Sequence, residues 1–401
     1  MINLEVPKKA GALINQAYQA AAEVFRPISR KYDRAEHTYP TELDMFAALL
    51  DGLNSSGEGG AGAAGVRRSK SDDSAKGNRN GANLNVVLGT IEMCWGDVGL
   101  LLSMPRQGLG NAAISSVATD EQLERFSGMW AAMAITEPSC GSDSAAITAT
   151  ARLDGDHYIL NGEKIFVTSG ERADAVVVWA TLDKSKGRAA IKSFVVEKGT
   201  PGFEVVRVEH KLGIRASDTA VLRFENCRVP RENLLGSPEI DTAKGFAGVM
   251  QTFDNTRPLV AAMAIGVARA ALDETRRILT EAGISIDYDR PANAQSAAAA
   301  EFLRLESDYE SAYLLTLESA WMADNRKPNS LQASMAKAKA GRSVVDIALK
   351  CVELTGAYGE ESLLEKWARD AKILDIFEGT QQIQQLIVAR RILGKTSAEL
   401  K

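Results

Sequence analysis

The chain has 401 residues, 45% of them hydrophobic and 25% charged, proportions of a folded globular protein that exclude a disordered or fibrous chain. At about 150 residues per domain, that length predicts two or three parts. A formal net charge of −5, from 47 basic and 52 acidic residues, provides no basic field for nucleic acid, and no apolar run approaches the roughly 18 residues of a membrane span.

The opening stretch MINLEVPKKAGALINQAYQAAAEVF carries Glu5 and Glu23 and lacks a continuous apolar core. It reads as an amphipathic helix rather than a signal peptide, which makes the cytoplasm the expected compartment. Over residues 1–129 apolar residues recur at helical spacing, as in Leu13, Tyr18 and Phe25 and then Val86, Ile91, Trp95, Val98 and Leu101. Between them, residues 54–82 are too rich in Gly, Ser and mixed charge to bury a face and read as a flexible surface insertion. A phosphate-binding loop would need a GKS or GKT ending after a strand, and this segment has neither.

Residues 130–240 change texture, with β-branched runs such as AVVVWATL and IKSFVVE. Asp154-Gly155 and Asn161-Gly162 are dipeptides of tight hairpins, so antiparallel pairing is expected. From 241 to 401 the helical period returns in four long passages whose small Ala and Gly positions suit close packing. The prediction is an α+β fold: an N-terminal α-helical domain, a central antiparallel β domain and a C-terminal four-helix bundle. No doubly wound dinucleotide fold fits that order.

Cys94, Cys140, Cys227 and Cys351 lie far apart with no CxxC pair, and are expected to be reduced thiols rather than zinc ligands or disulfides. His37, His157 and His210 stand at no ligand spacing in the sequence, so neither a metal site nor a Ser/His/Asp triad is expected.

Chemistry concentrates in AITEPSCGSDSAAI (134–147), LNGEKIFVTSG (160–170), KLGIRASDTAVLRFENCRVPRENLLG (211–236) and RDAKILDIFEGTQQIQ (369–384). Taken alone, ITEPSCGSD is a solvated turn, although its small residues also admit close approach of a planar ligand and its hydroxyls can bind a polar edge. By the same elementary reading Phe166 is a core aromatic, Glu378 a charge favouring a helix N-terminus, and Asp254 with Arg257 a surface ion pair. Together with FDNTRPLVAAMAIGVARAALD (253–273), however, these segments stand in family order, and the chain resembles the acyl-CoA dehydrogenase family over most of its length outside the insertion.

The resemblance implies FAD, bound by Ile135, Thr136, Gly141 and Ser142, with Ser142 also near the thioester chain. Phe166 would lie against the isoalloxazine ring and Thr168 near flavin N5, while Thr380 and Gln382 would touch the adenosine half. Glu378 matches the catalytic base, and Gly379 leaves room for the thioester. Asp254 and Arg257 match residues near the pantetheine and the active-site floor, and Thr256 fills the position from which some relatives supply the base. Leu101, Leu102 and Met104 would fall near the closed end of the acyl pocket.

The implied reaction is dehydrogenation of an acyl-CoA to a trans-2-enoyl-CoA, with electrons passed to an electron-transfer flavoprotein by a tetrameric enzyme. It needs a buried carboxylate of raised pKa and a polarised thioester carbonyl, the latter assigned to the Glu378 N–H and a flavin hydroxyl. Two family motifs that reach a neighbour's pyrophosphate are altered: Ala282 and Ser285 replace an Arg and a Phe, and Glu353 replaces a Gln. A lost cation and an added carboxylate favour a mixed tetramer with a paralogue, unless Arg290 or Gln295 compensates in a homotetramer. A catalytically weak structural subunit and a flavin oxidase of the same fold are the rival readings.

Overall fold

A computed structural model describes residues 4–55, 81–106, 109–240, 247–356, 362–396 and 399, with the side chains of residues 9, 49–55 and 247–255 left aside. Most of the segment read as an insertion, 56–80, lies outside the described residues. Helices α1 (Gly11–Ala20) and α2 (Arg26–Arg34) are joined through a π-helical turn at Ala21–Phe25, followed by α3 (Glu42–Ser55), α4 (Ala82–Gly96), α5 (Val98–Leu102), α6 (Leu109–Val117) and α7 (Asp120–Arg125). The inward face of the first helices is Ala17, Ala21, Phe25, Ser29 and Tyr32, whereas Tyr18 is 44% exposed. Ala21 is small because α4 comes very close there: a Cβ on Gly96 would stand 2.8 Å from the Ala21 Cβ.

The central part is a seven-stranded curled sheet of β1 (Ala131–Ala134), β2 (Thr150–Asp154), β3 (His157–Thr168), β4 (Ala175–Thr181), β5 (Ile191–Glu197), β6 (Phe203–Val208) and β7 (Thr219–Pro230). Its order is β1-β4-β2-β3-β7-β6, with β5 also on β4. Antiparallel pairs dominate, but β1 runs parallel to β4 and β2 meets β4 in a single parallel pair, so the sheet is mixed. β4, AVVVWAT, is buried throughout, as a β-branched run between two neighbours should be.

Asp154-Gly155 does turn the β2–β3 hairpin, where Asp154 pairs with His157. Asn161-Gly162 does not turn: it lies inside β3 at a register shift against β7. Gly162, at φ 150°, is required there because a Cβ would sit 2.6 Å from that of Ala149.

The C-terminal part holds α8 (Ala247–Glu281), α9 (Ala297–Asp324), α10 (Ser330–Thr355), α11 (Leu364–Leu374) and α12 (Gln381–Leu393). The four expected passages form α8, α9, α10 and α12, and α11 is an additional helix that the periodicity reading did not separate. One apolar core joins α4, α8, α9, α10 and α11, and another fills the sheet.

The three parts meet at a buried ionic cluster. Lys366 Nζ donates to Asp97 Oδ2 and Asp370 Oδ2, each at 2.6 Å, Ser29 donates to Asp97, and Asp370 Oδ1 accepts from the Ile214 N–H at 2.6 Å. The last bond draws the loop before β7 onto α11, so closely that a Cβ on Gly213 would stand 2.4 Å from the Arg369 carbonyl oxygen.

Candidate active site

Glu378 lies in the short connection between α11 and α12, with Glu378 at φ 56° and Gly379 at φ 96°. Left-handed backbone costs a non-glycine residue about 1–2 kcal/mol, so the surroundings must hold it there. They do so from both sides. The Gln384 amide donates to the carbonyls of Glu378 and Gly379, each at 3.2 Å, and Lys337 Nζ on α10 donates to the Gly379 carbonyl at 2.7 Å. Thr380 caps α12, its hydroxyl accepting from the Ile383 N–H at 3.4 Å.

The Glu378 side chain meets α8. Thr256 Oγ1 donates to Glu378 Oε2 at 2.8 Å, and Arg257 is buried beside it. Burial is the largest influence on the carboxyl and raises its pKa above the ordinary glutamate value. Thr256, Arg257 and Lys337 oppose that rise without cancelling it. The side chain of Asp254 lies outside the described residues.

A second group forms on the sheet. The buried Glu137 carboxylate accepts from Thr148 N at 2.8 Å, Thr148 Oγ1 at 2.5 Å, Ala149 N at 3.0 Å and Lys164 Nζ at 2.8 Å. Lys164, fully buried on β3, also donates to the Ile135 carbonyl at 3.0 Å, while the Ile165 N–H donates to the Thr136 carbonyl at 2.9 Å. One ion pair thus fixes the loop of Ile135, Thr136, Gly141 and Ser142 against the strand that carries Phe166 and Thr168. Phe166 is 62% exposed at φ 57°, a placement no core aromatic would take. Gly141 and Ser142 are exposed, and a Cβ on Gly141 would meet only the Thr136 methyl, at 3.7 Å. An open aromatic face beside hydroxyls and an unencumbered glycine suits a planar ring with polar edges.

The other sequence candidates fall as follows. Gln382 is exposed on α12; Leu101 and Leu102 are half-buried on α5, and Met104 is buried just beyond it. Ala282 and Ser285 are exposed, and Glu353 is exposed and paired with Lys350 at 2.6 Å. The Gln295 amide organises the loop after α8, donating to the carbonyls of Asp287 and Arg290 and accepting from the Asp287 N–H. A cleft of about 740 Å³ lined by Tyr39, Arg106, Trp130 and Arg172 contains none of the residues named for the site.

Glu137, Lys164, Lys337 and Gln384 were not singled out in the sequence; for Lys337 a charge on an otherwise uncharged helix face was the available signal. Folding also brings Glu36, His37 and His210 within 4.8 Å of one another, contrary to the separation of the histidines in sequence. The Glu36 carboxylate there is already engaged by Arg215 at 3.0 Å and the Lys211 N–H at 2.8 Å.

Residues 132–227 match the family model for the acyl-CoA dehydrogenase middle domain, and residues 243–393 match the one for the C-terminal domain. The chain belongs to the acyl-CoA dehydrogenase family. Among its relatives in that family, a short-chain specific acyl-CoA dehydrogenase of Clostridium acetobutylicum is 36% identical over 74% of this chain and 78% of its own length. An acryloyl-CoA reductase (NADH) of Anaerotignum propionicum is 32% identical over 94% and 93%. The structure of butyryl-CoA dehydrogenase from Megasphaera elsdenii superposes with a TM-score of 0.80 at 28% identity, covering 98% of this chain and all of that one. A chain from structural work on the electron transferring flavoprotein of Acidaminococcus fermentans superposes with a TM-score of 0.79 at 30% identity, covering 98% and 100%.

Proposed function

We propose that this chain is an FAD-dependent acyl-CoA dehydrogenase acting on a short acyl chain, with Glu378 as the base that removes the α proton. The observation that carries this is the Glu378 carboxyl itself, part-buried against Thr256 and Arg257, raised in pKa and held on a strained turn between α8, α10 and α12. A group of raised pKa is a stronger base once ionised, and here it ionises as the pH rises through that pKa.

Ile135, Thr136, Gly141, Ser142, Phe166 and Thr168 would hold the flavin, with Thr380 and Gln382 toward its adenosine end. Bound there, FAD supplies the acceptor for the hydride equivalent from the β carbon. Gly379 keeps the approach to Glu378 clear, and Ser142, Asp254 and Arg257 are the residues we assign to the acyl-CoA. The C. acetobutylicum and M. elsdenii relatives support a short-chain thioester as substrate. An electron-transfer flavoprotein as electron acceptor is supported by the A. fermentans likeness. The A. propionicum relative favours assaying the reverse reduction of an enoyl-CoA as well.

We place the domain limits at 1–129, 130–240 and 241–401, a reading supported by the change from helix to strand near β1 and back to helix at α8. No described helix is long and apolar enough to cross a membrane, and four buried free cysteines fit a reducing cytoplasm. For assembly we favour a mixed tetramer with a paralogue that lends the missing Arg and Gln, since Gln295 is spent on its own loop. Expressed alone, the chain should then hold less than one FAD per subunit, and a tightly loaded homotetramer would refute the mixed assembly.

The test of the base is Glu378→Gln. It should leave FAD bound and abolish bleaching of the flavin by butyryl-CoA, and bleaching at the wild-type rate would end the assignment. Turnover with a dye acceptor separates the enzyme from a structural subunit. Peroxide released without added acceptor would identify an oxidase.

A further inference from the structure

Lys337 is a buried lysine, 1% exposed, on α10, a helix whose inward face is otherwise uncharged, mostly alanine, valine and isoleucine with Ser334 and Ser343. A methionine of similar reach would avoid the desolvation of an ammonium group, so packing alone does not account for a lysine here. Among the described residues its Nζ reaches one acceptor, the carbonyl of Gly379, at 2.7 Å. That carbonyl follows directly on the residue assigned as the base, at the second of two left-handed positions. Gln384 already donates to the same oxygen, at the longer distance of 3.2 Å. What the lysine adds to a turn that an amide already holds is therefore a shorter bond and a positive charge.

We propose that Lys337 is a positioning residue for the base: it clamps the Glu378–Gly379 turn through the Gly379 carbonyl and places a cation behind the Glu378 carboxylate. The inference rests on Glu378 being the base. The charged groups acting on Lys337 are Asp375 and Glu378, which favour its ammonium form, and Arg257 on α8, which opposes it. From α12 the neighbours are neutral amides, Gln384 on the same carbonyl and Gln381 near Asp375, and on α10 itself Arg342 pairs with Asp375 at 3.6 Å. Burial lowers the Lys337 pKa to about 8, so at neutral pH the ammonium persists because of these carboxylates. In return it favours the ionised form of Glu378, one of three groups that do so. Two opposing effects are thus set on one side chain: burial makes Glu378 a strong base, and Lys337 keeps it ionised where it must work.

Two variants of the FAD-loaded enzyme separate the clamp from the charge. Lys337→Met removes both: kcat with butyryl-CoA and a dye acceptor should fall about ten-fold at pH 7 with KM little changed, a split that belongs to a displaced base rather than to lost substrate binding. Lys337→Gln keeps a donor for the Gly379 carbonyl and loses the charge. Its kcat should approach wild type at high pH, while the acidic limb of its kcat profile moves up by about one pH unit, as expected when a nearby opposite charge is removed. A Lys337→Gln limb that coincides with wild type would overturn the inference. So would a Lys337→Gln chain that cannot fold, which would make Lys337 a core residue. If Glu378→Gln still bleached, the base itself would be wrong; if Glu378→Gln is dead and the Lys337→Gln limb is unmoved, only the role of Lys337 fails.

Discussion

Thr256→Val keeps the shape of a buried side chain and removes the hydroxyl that donates to Glu378. That hydroxyl donates to Glu378 Oε2 at 2.8 Å, a bond that strengthens when the carboxyl ionises. Hydrogen bonds to charged groups contribute about 1.5–3 kcal/mol, and one pKa unit corresponds to about 1.4 kcal/mol, so losing this one should raise the Glu378 pKa by roughly one to two units. The sign follows from the role: the base works when ionised, activity is lost as pH falls through its pKa, and raising that pKa moves the loss to higher pH. The acidic limb of the kcat profile of Thr256→Val should therefore rise by about that amount, with plateau kcat equal to or above wild type because the freed oxygen is more basic. Thr256→Ser should restore the limb. The assay is stopped-flow bleaching of the bound flavin by butyryl-CoA between pH 5 and 9, with FAD content and melting temperature measured in parallel. A limb that stays in place while both controls are normal would refute the reasoning.

Gly379→Ala places a Cβ at φ 96° and 2.4 Å from the Gln384 amide nitrogen. It should cost about 1–2 kcal/mol in stability by thermal melting and eliminate substrate bleaching while FAD stays bound. Lys366→Met leaves Asp97 and Asp370 buried without their common cation, and should cost about 3–5 kcal/mol in denaturant unfolding; a change under about 1 kcal/mol would mean the cluster is not buried in solution.

The helix–strand–helix order could be read from the sequence because each part has its own periodicity, and the strand run AVVVWAT became a wholly buried β4. Asn161-Gly162 misled because the same dipeptide that permits a hairpin also permits a bulge, and only the closeness of Ala149 decides between them. The parallel β1–β4 pair left no local trace, since pairing direction depends on what lies between the strands. At the proposed site, Glu378 and Phe166 stand in contiguous motifs and could be named from the sequence as candidates. Lys337 and Gln384 act on Glu378 from α10 and α12, and Lys164 acts on the loop of Ile135 from another strand, so their roles arise only from tertiary contact. His37 and His210 are 173 residues apart and meet for the same reason.

The junction of Ser29, Asp97, Ile214, Lys366 and Asp370 also bears on how the chain is made. Asp97 is buried with Lys366 as its cation, and Lys366 is synthesised 269 residues after it. Until then the N-terminal helices carry a carboxylate that has no reason to leave water, and they cannot close in their final arrangement. The Glu378 turn follows within a dozen residues of the cation that completes the lock. A nascent chain stalled before α11 should accordingly remain open to protease in α1, α2, α4 and α5, and synthesis through α12 should protect those helices and assemble the site in a single event.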